Sequence, residues 1–162
     1  MFPEAGLLGL SASINTRDAI YPYSEPIPDS EINQDGSPLI NPCIDFAYMY
    51  NHNSILHQLS CFACDFEIVI VANMGEVKNC SGIKGHPNDG RYQFNTNVVF
   101  ESDGSLLAKY RKQNLYLPEK QLYDAGTTVS SCITFKTSFG ITFGTMTCFD
   151  LLYKQTRRLL NK

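Results

Sequence analysis

A chain of 162 residues is one domain's worth, and its 43% apolar and 18% charged content is ordinary for a globular protein. The net charge of −3 comes with no basic stripe, which excludes a nucleic-acid partner. No run approaches the roughly 18 apolar residues that a membrane-spanning helix needs.

Residues 11–42 hold Pro22, Pro26, Pro28, Pro38 and Pro42 together with Asp35-Gly36. That chemistry predicts a long loop with one short helical turn near Asp18. Apolar residues at 44, 47, 48, 55, 59, 62 and 63 predict an amphipathic helix, best defined from Ser54 to Ala63. Phe66 to Ala72 is short, β-branched and nearly all apolar, which predicts a buried central strand. Residues 75–91 are polar and glycine-containing and predict a surface loop. It carries Asn79-Cys80-Ser81, a glycosylation sequon. Tyr92 to Phe100 and Leu106 to Arg111 predict a hairpin, because Asp103-Gly104 between them is a strong turn signal. Ile133 to Thr137 and Ile141 to Thr145 predict a second hairpin around Ser138-Phe-Gly140. A helix, a buried strand and then hairpins imply an α/β domain, a mixed sheet with helices on one face.

Chemistry points to three residues. Cys148 follows Gly144-Thr-Met-Thr, where a turn would hold its sulfur over the sheet's edge. A cysteine attacks a carbonyl only as thiolate, so it needs a base nearby. Lys112 lies just past an apolar strand, placed to be drawn inward as a fixed cation beside an oxyanion. Glu4, in Pro3-Glu4, offers a carboxylate upstream of both. Together they form a complete set for hydrolysing an amide through a thioester. Each also has a bland reading: a buried core thiol, a solvated lysine, a solvated terminal glutamate. Lys109 and Arg111 are expected to face solvent.

The other candidates are weaker. Cys61-Phe-Ala-Cys64 has redox spacing, but a helix precedes it where a thioredoxin-like motif needs a strand. Zinc would need a second pair at suitable spacing, so structural thiols or one disulfide are expected, and no metal site. With Cys148 free, Cys43, Cys61, Cys64, Cys80 and Cys132 remain, an odd number whose connectivity stays open. His52, His57 and His86 form no set that would serve a Cys–His protease.

Longer strings carry a family resemblance from about Phe2 to Tyr153. They are Tyr21-Pro-Tyr-Ser-Glu-Pro-Ile-Pro-Asp29, Asp89-Gly-Arg-Tyr-Gln-Phe-Asn-Thr96, Lys112-Gln-Asn-Leu-Tyr116 and Cys148-Phe-Asp-Leu-Leu-Tyr153. The chain resembles the carbon–nitrogen hydrolases of the nitrilase superfamily, within it the biotinidase/vanin (pantetheinase) branch. The resemblance implies Cys148 as nucleophile, Lys112 at the oxyanion and Glu4 as general base. Glu119, in Leu117-Pro-Glu119, would orient Lys112 or the substrate. It also implies an incomplete four-layer α-β-β-α sandwich, with residues 1–162 forming about half of the hydrolase domain. The substrate would be a small amide, pantetheine or a biotin amide, cleaved without cofactor.

Six cysteines and a sequon fit an oxidising compartment, yet no charged segment followed by an apolar one opens the chain. The resemblance implies a secreted or lipid-anchored, cell-surface parent of which this chain is a central fragment without its own signal. Made alone, the fragment is expected to be inactive. The alternative is a truncated, non-enzymatic interaction module of the same fold.

Overall fold

A computed structural model describes residues 1–7, 15–30, 38–45, 47, 53–82, 85–127 and 134–153. The short helix near Asp18 is present as α1 (Arg17–Ile20), whose N-cap Thr16 accepts the Ala19 N–H. A 3-10 turn, Tyr21–Tyr23, leads into β1 (Ser24–Glu25). The predicted helix is α2 (Ile55–Asp65). Glu25 caps it from a distance: its carboxylate accepts Ile55 N–H at 2.7 Å, Leu56 N–H at 3.1 Å and the Ser54 hydroxyl at 2.7 Å. A carboxylate there complements the positive end of the helix dipole.

The buried strand begins later than the sequence suggests. β2 runs Ile70–Asn79, while Phe66 and Ile68 are exposed at 68% and 49%. Residues 66–68 close the helix instead. Ile68 N–H bonds Ala63 carbonyl, Glu67 N–H bonds Cys64 carbonyl, and Glu67 takes a left-handed φ of 51°. This is a Schellman ending with glutamate where glycine is usual. The strand then continues through residues expected to be loop, so Asn79 is exposed at its far end, opposite Arg91.

β3 (Arg91–Phe100) and β4 (Leu106–Arg111) form the predicted hairpin. Gly104 at its tip has φ 87°, and a Cβ there would meet the Ser60 carbonyl at 2.8 Å, so only glycine fits. The sheet order is β1-β2-β3-β4, with β1 parallel to β2 and the other pairs antiparallel. The mixed sheet packs α2 on one face, where Leu56, Leu59 and Ala63 meet Ile70, Ala72, Met74, Val98 and Phe100. α1 lies apart from that face, at a separate cluster of Ile20 with Leu115 and Tyr123.

A register shift opposite Val99/Phe100 makes Leu107 an extra residue: Val99 pairs with Ala108 and Phe100 with Leu106. Side chains alternate along a strand, so one extra residue flips the faces beyond it. Leu106 stays in the helix-side core, while Ala108 joins Val99 and Phe135 on the other face. Downstream, Lys109 and Arg111 point to the helix side, and Tyr110 and Lys112 point away from it.

Lys109 is therefore buried rather than solvent-facing, and the Arg111 side chain is only 14% exposed. Both close on Glu76, itself 1% exposed: Lys109 Nζ at 3.2 Å, Arg111 Nε at 2.8 Å and Nη2 at 2.5 Å. Asp29 takes a second bond from Lys109 at 2.7 Å. A buried carboxylate needs such partners, and the two basic residues supply them.

The second hairpin is β5 (Thr134–Lys136) with β6 (Thr142–Gly144), Phe135 stacking on Phe143. It lies on the face opposite α2. Glu101 fastens it: its carboxylate accepts Ser138 N–H at 2.8 Å and Ser138 hydroxyl at 3.0 Å, besides Ser102 N–H. Burial alone would raise this carboxyl, but those donors hold it below the ordinary 4.5. Its contribution is complete above 4.5 and fades as pH falls through the lower folded-state value. Glu101→Gln should cost about 1.5–3 kcal/mol at pH 7, the range for hydrogen bonds to a charged group. Urea unfolding checks this: the gap between variant and wild type should close in acid, and no gap at pH 7 counts against it.

The cysteine pairing left open by the sequence is Cys43–Cys61. Cys64 is half-buried and free, Cys80 is buried and free, and Cys132 lies outside the described residues.

Candidate active site

The sheet face away from α2 collects the polar residues. Asn73, Asn95, Asn97 and Tyr110 project there by strand alternation, and Lys112 follows just past β4. The backbone of Lys112 prolongs the ladder, its N–H donating to Asn95 carbonyl at 2.8 Å.

Lys112 is 1% exposed and sits between two carboxylates. Its Nζ lies 2.7 Å from Glu4 Oε1 and 2.8 Å from both oxygens of Glu119. Burial would lower the ammonium pKa, but bonds to Glu119 and Glu4 outweigh it and raise the value, so Lys112 is a permanent cation. Glu119 arrives on the 3-10 helix Leu117–Gln121, its Oε2 also accepting Tyr116 N–H at 2.7 Å. Glu119 thus touches Lys112 directly.

Glu4 is brought in by the first few residues of the chain. Phe2 N–H bonds the Val71 carbonyl on β2, and a turn from Pro3 to Gly6 follows, with Ala5 at φ 54°. Asn95 Nδ2 donates to Glu4 at 2.7 Å and to Glu119 at 3.1 Å. Burial pushes the Glu4 carboxyl up, yet the Lys112 and Asn95 hydrogen bonds and the Lys112 charge leave it below its ordinary value.

Cys148 is exposed and opens the 3-10 helix Cys148–Leu152 with φ 42°, a strained backbone for any side chain but glycine. Asp150 stabilises that turn. Fully buried, it accepts Tyr110 hydroxyl at 2.6 Å, Asn114 N–H and Nδ2 at 2.8 Å each, and Thr147 N–H at 3.2 Å. The Cys148 thiol and the Glu4 carboxylate line the same cleft. The thiol pKa is raised by burial first and by the Glu4 charge, against the opposing pull of Lys112. The cysteine therefore rests as a thiol, which a base must deprotonate before it can attack. That open cleft of about 260 Å³ lies over it, with Glu4, Phe2, Asn97, Thr145 and Leu151 among its lining.

Of the candidates named from the sequence, the structure brings Glu4, Lys112 and Glu119 into contact and sets Cys148 on the cleft that Glu4 lines. Asn79 stands apart, six residues along β2 from Asn73. His57 belongs to α2, with Nδ1 at 2.8 Å from the Pro42 carbonyl and Nε2 at 3.6 Å from Cys61 Sγ. His86 Nδ1 is at 2.5 Å from the Pro87 carbonyl, and His52 lies outside the described residues. No metal-ligating cluster occurs among the described residues. Asn73, Asn95, Asn97 and Asp150 join the site without being expected there. Their signal is present in the sequence: amides at alternate positions of an apolar strand, and a carboxylate two residues after Cys148.

A model of the carbon–nitrogen hydrolase family matches residues 1–162. Pantetheinase from Bos taurus is 44% identical over 152 residues, 93% of this chain and 27% of that protein. Biotinidase from Bos taurus is 41% identical over 154 residues, 94% of this chain and 27% of that protein. The chain thus spans about a quarter of the length of these curated relatives. Among solved structures, a carbon–nitrogen hydrolase from Helicobacter pylori G27 aligns with TM-score 0.48 at 30% identity, over 62% of this chain and 31% of that one.

Proposed function

This chain belongs to the carbon–nitrogen hydrolase family, and from that premise we propose that the protein carrying it is an amidase cleaving a linear amide of a small molecule through a thioester on Cys148. The observation supporting this is the junction at Lys112, one buried cation bonded to two carboxylates, of which Glu4 also lines the cleft over Cys148. A raised thiol pKa makes a base necessary at the moment of attack, and Glu4 is the carboxylate that shares the cleft with it.

In the proposed course Glu4 takes the thiol proton as sulfur attacks the amide carbonyl. Lys112 and backbone N–H groups beside Cys148 hold the oxyanion. The leaving amine departs with the proton from Glu4, giving a thioester. Water then loses a proton to Glu4, attacks the thioester and releases the acid, restoring the thiol. Glu119 keeps Lys112 aimed between the two carboxylates. The scheme needs no cofactor.

Pantetheine is the first substrate to try and a biotin amide the second, since named pantetheinases and biotinidases match along nearly the whole chain. The test is to quench the complete protein during turnover of pantetheine or biocytin and map adducts by mass spectrometry. An acyl group on Cys148 supports the scheme. Turnover with the adduct on another residue refutes it.

We also place the complete protein outside the cell or at its surface. Its Cys43–Cys61 disulfide suits an oxidising compartment. No helix among the described residues is long and apolar enough to cross a membrane. Asn79 is exposed, with its Oδ1 accepting the Ser81 N–H at 2.9 Å, and is expected to carry a glycan in secreted material. Peptide mapping with and without glycosidase checks this. Unmodified Asn79 at full occupancy in secreted protein would rule it out.

A further inference from the structure

Three asparagines on the catalytic face are almost fully buried: Asn73 at 3%, Asn95 at 4% and Asn97 at 8% exposure. Packing alone does not call for amides on a sheet face, and a buried amide is costly unless it is bonded. Their bonds run in one direction. The Ala5 backbone N–H can only donate, so Asn73 turns its Oδ1 to it at 2.8 Å. The carboxylates of Glu4 and Glu119 only accept, so Asn95 turns its Nδ2 to them. Between these ends, Asn73 Nδ2 donates to Asn95 Oδ1 at 2.6 Å and to Asn97 Oδ1 at 2.9 Å. Asn97 is thereby left with Nδ2 facing Thr145 Oγ1, at 2.8 Å and three residues before Cys148. The amide orientations are fixed from both ends, and Asn73 is the residue on which they meet.

We infer that Asn73 is a positioning residue for the reaction proposed above. It holds Glu4 from the chain side, through the left-handed Ala5, and from the side-chain side, through Asn95, while Asn97 ties the same point to the strand that delivers Cys148. Valine would fill the space but could do none of this. An aspartate would still accept the Ala5 N–H, yet it would present oxygen to the Asn95 and Asn97 oxygens. Both amides would have to turn, setting the Asn95 oxygen against Glu4.

The inference rests on Glu4 acting as base, so the test separates the two. In the complete protein, with pantetheine and biocytin as probes, the acid limb of kcat/KM reports ionisation of Glu4. Asn73→Leu removes the donor set behind Asn95, which should move that limb to higher pH by about half a unit to one unit and lower kcat about tenfold, with KM within about twofold. Asn73→Asp should move it further, and it decides the matter if the leucine variant does not fold. A limb that stays in place while the melting temperature falls means that Asn73 is only structural, and overturns the inference. Hydrogen exchange by NMR tests the same point without turnover. At least about tenfold faster exchange of Ala5 N–H and the Asn95 side-chain amide, with β3–β4 backbone amides unchanged, upholds the inference even if neither probe is a substrate. Unchanged exchange at both overturns it. Glu4→Gln retaining full turnover would refute the base assignment separately.

Discussion

Replacing Cys148 with serine is expected to abolish turnover while leaving the fold intact. The side chain is exposed, so the exchange of sulfur for oxygen disturbs no core packing. The chemistry is affected more severely. Glu4 is held below its ordinary pKa by Lys112 and Asn95. A base that weak is a poor match for a serine hydroxyl, which ionises far less readily than a thiol. Loss of a covalent nucleophile costs about 10⁴-fold or more in turnover where it has been measured. Rates on pantetheine and biocytin, with a thermal melt alongside, provide the check. A Cys148→Ser protein that keeps wild-type rates, or a wild-type acyl adduct on Cys64 or Cys80, means that the nucleophile is elsewhere.

Lys112→Met should fail in two ways at once. The methionine fills the volume but removes the cation, leaving the carboxylates of Glu4 and Glu119 facing each other across the one Asn95 donor they share. Breaking a buried pair by removing one partner typically costs about 3–5 kcal/mol, and the partial exposure of both carboxylates places this case toward the lower end. With its neighbour's charge uncompensated, Glu4 holds a proton to higher pH, so any residual activity should appear only on the alkaline side of the wild-type acid limb. The oxyanion also loses its cation, worth about 10²–10³ in rate where a single donor has been removed. Urea unfolding and the pH profile measure the two failures independently. A variant as stable as wild type, or active with an unmoved limb, would show that Lys112 does not link the two carboxylates.

Much of this site is legible in the sequence because local signals and long strings coincide. Ser54 marks the start of α2, and Asp103-Gly104 marks the β3–β4 turn, each through a bond or a backbone angle that few other residues supply. Cys148 and Lys112 stand out because a thiol and a cation border apolar strands inside long strings that carry the family resemblance. What stays hidden depends on partners far along the chain. Glu67 ends α2 without the glycine that would announce it, so the pattern starts the following strand four residues early. Glu76 looks like a loop carboxylate because its partners lie more than thirty residues away on β4. Cys61 shows no particular partner, since Cys43 precedes it in a segment with no periodic pattern. The asparagines draw no notice because an amide carries no charge, and its worth comes only from what it touches.

The extra residue in β4 makes strand pairing decide which residues reach the Cys148 side. Ala108, Tyr110 and Lys112 reach the Cys148 side only because Leu107 takes up one step without a partner. Were Leu107 paired with Val99 in regular alternation instead, Lys109 and Arg111 would be delivered to the Cys148 side, with Tyr110 and Lys112 pressed against α2. Every chemical group would survive in the gene and none would be at its station. Substitutions in β4 change one contact each, whereas closing the bulge with Leu107 still in place exchanges two sets of contacts at once. Loss of the Leu107 codon alone would keep every other pairing of β4, so the history of this strand should tolerate a single gap at that step and at no other.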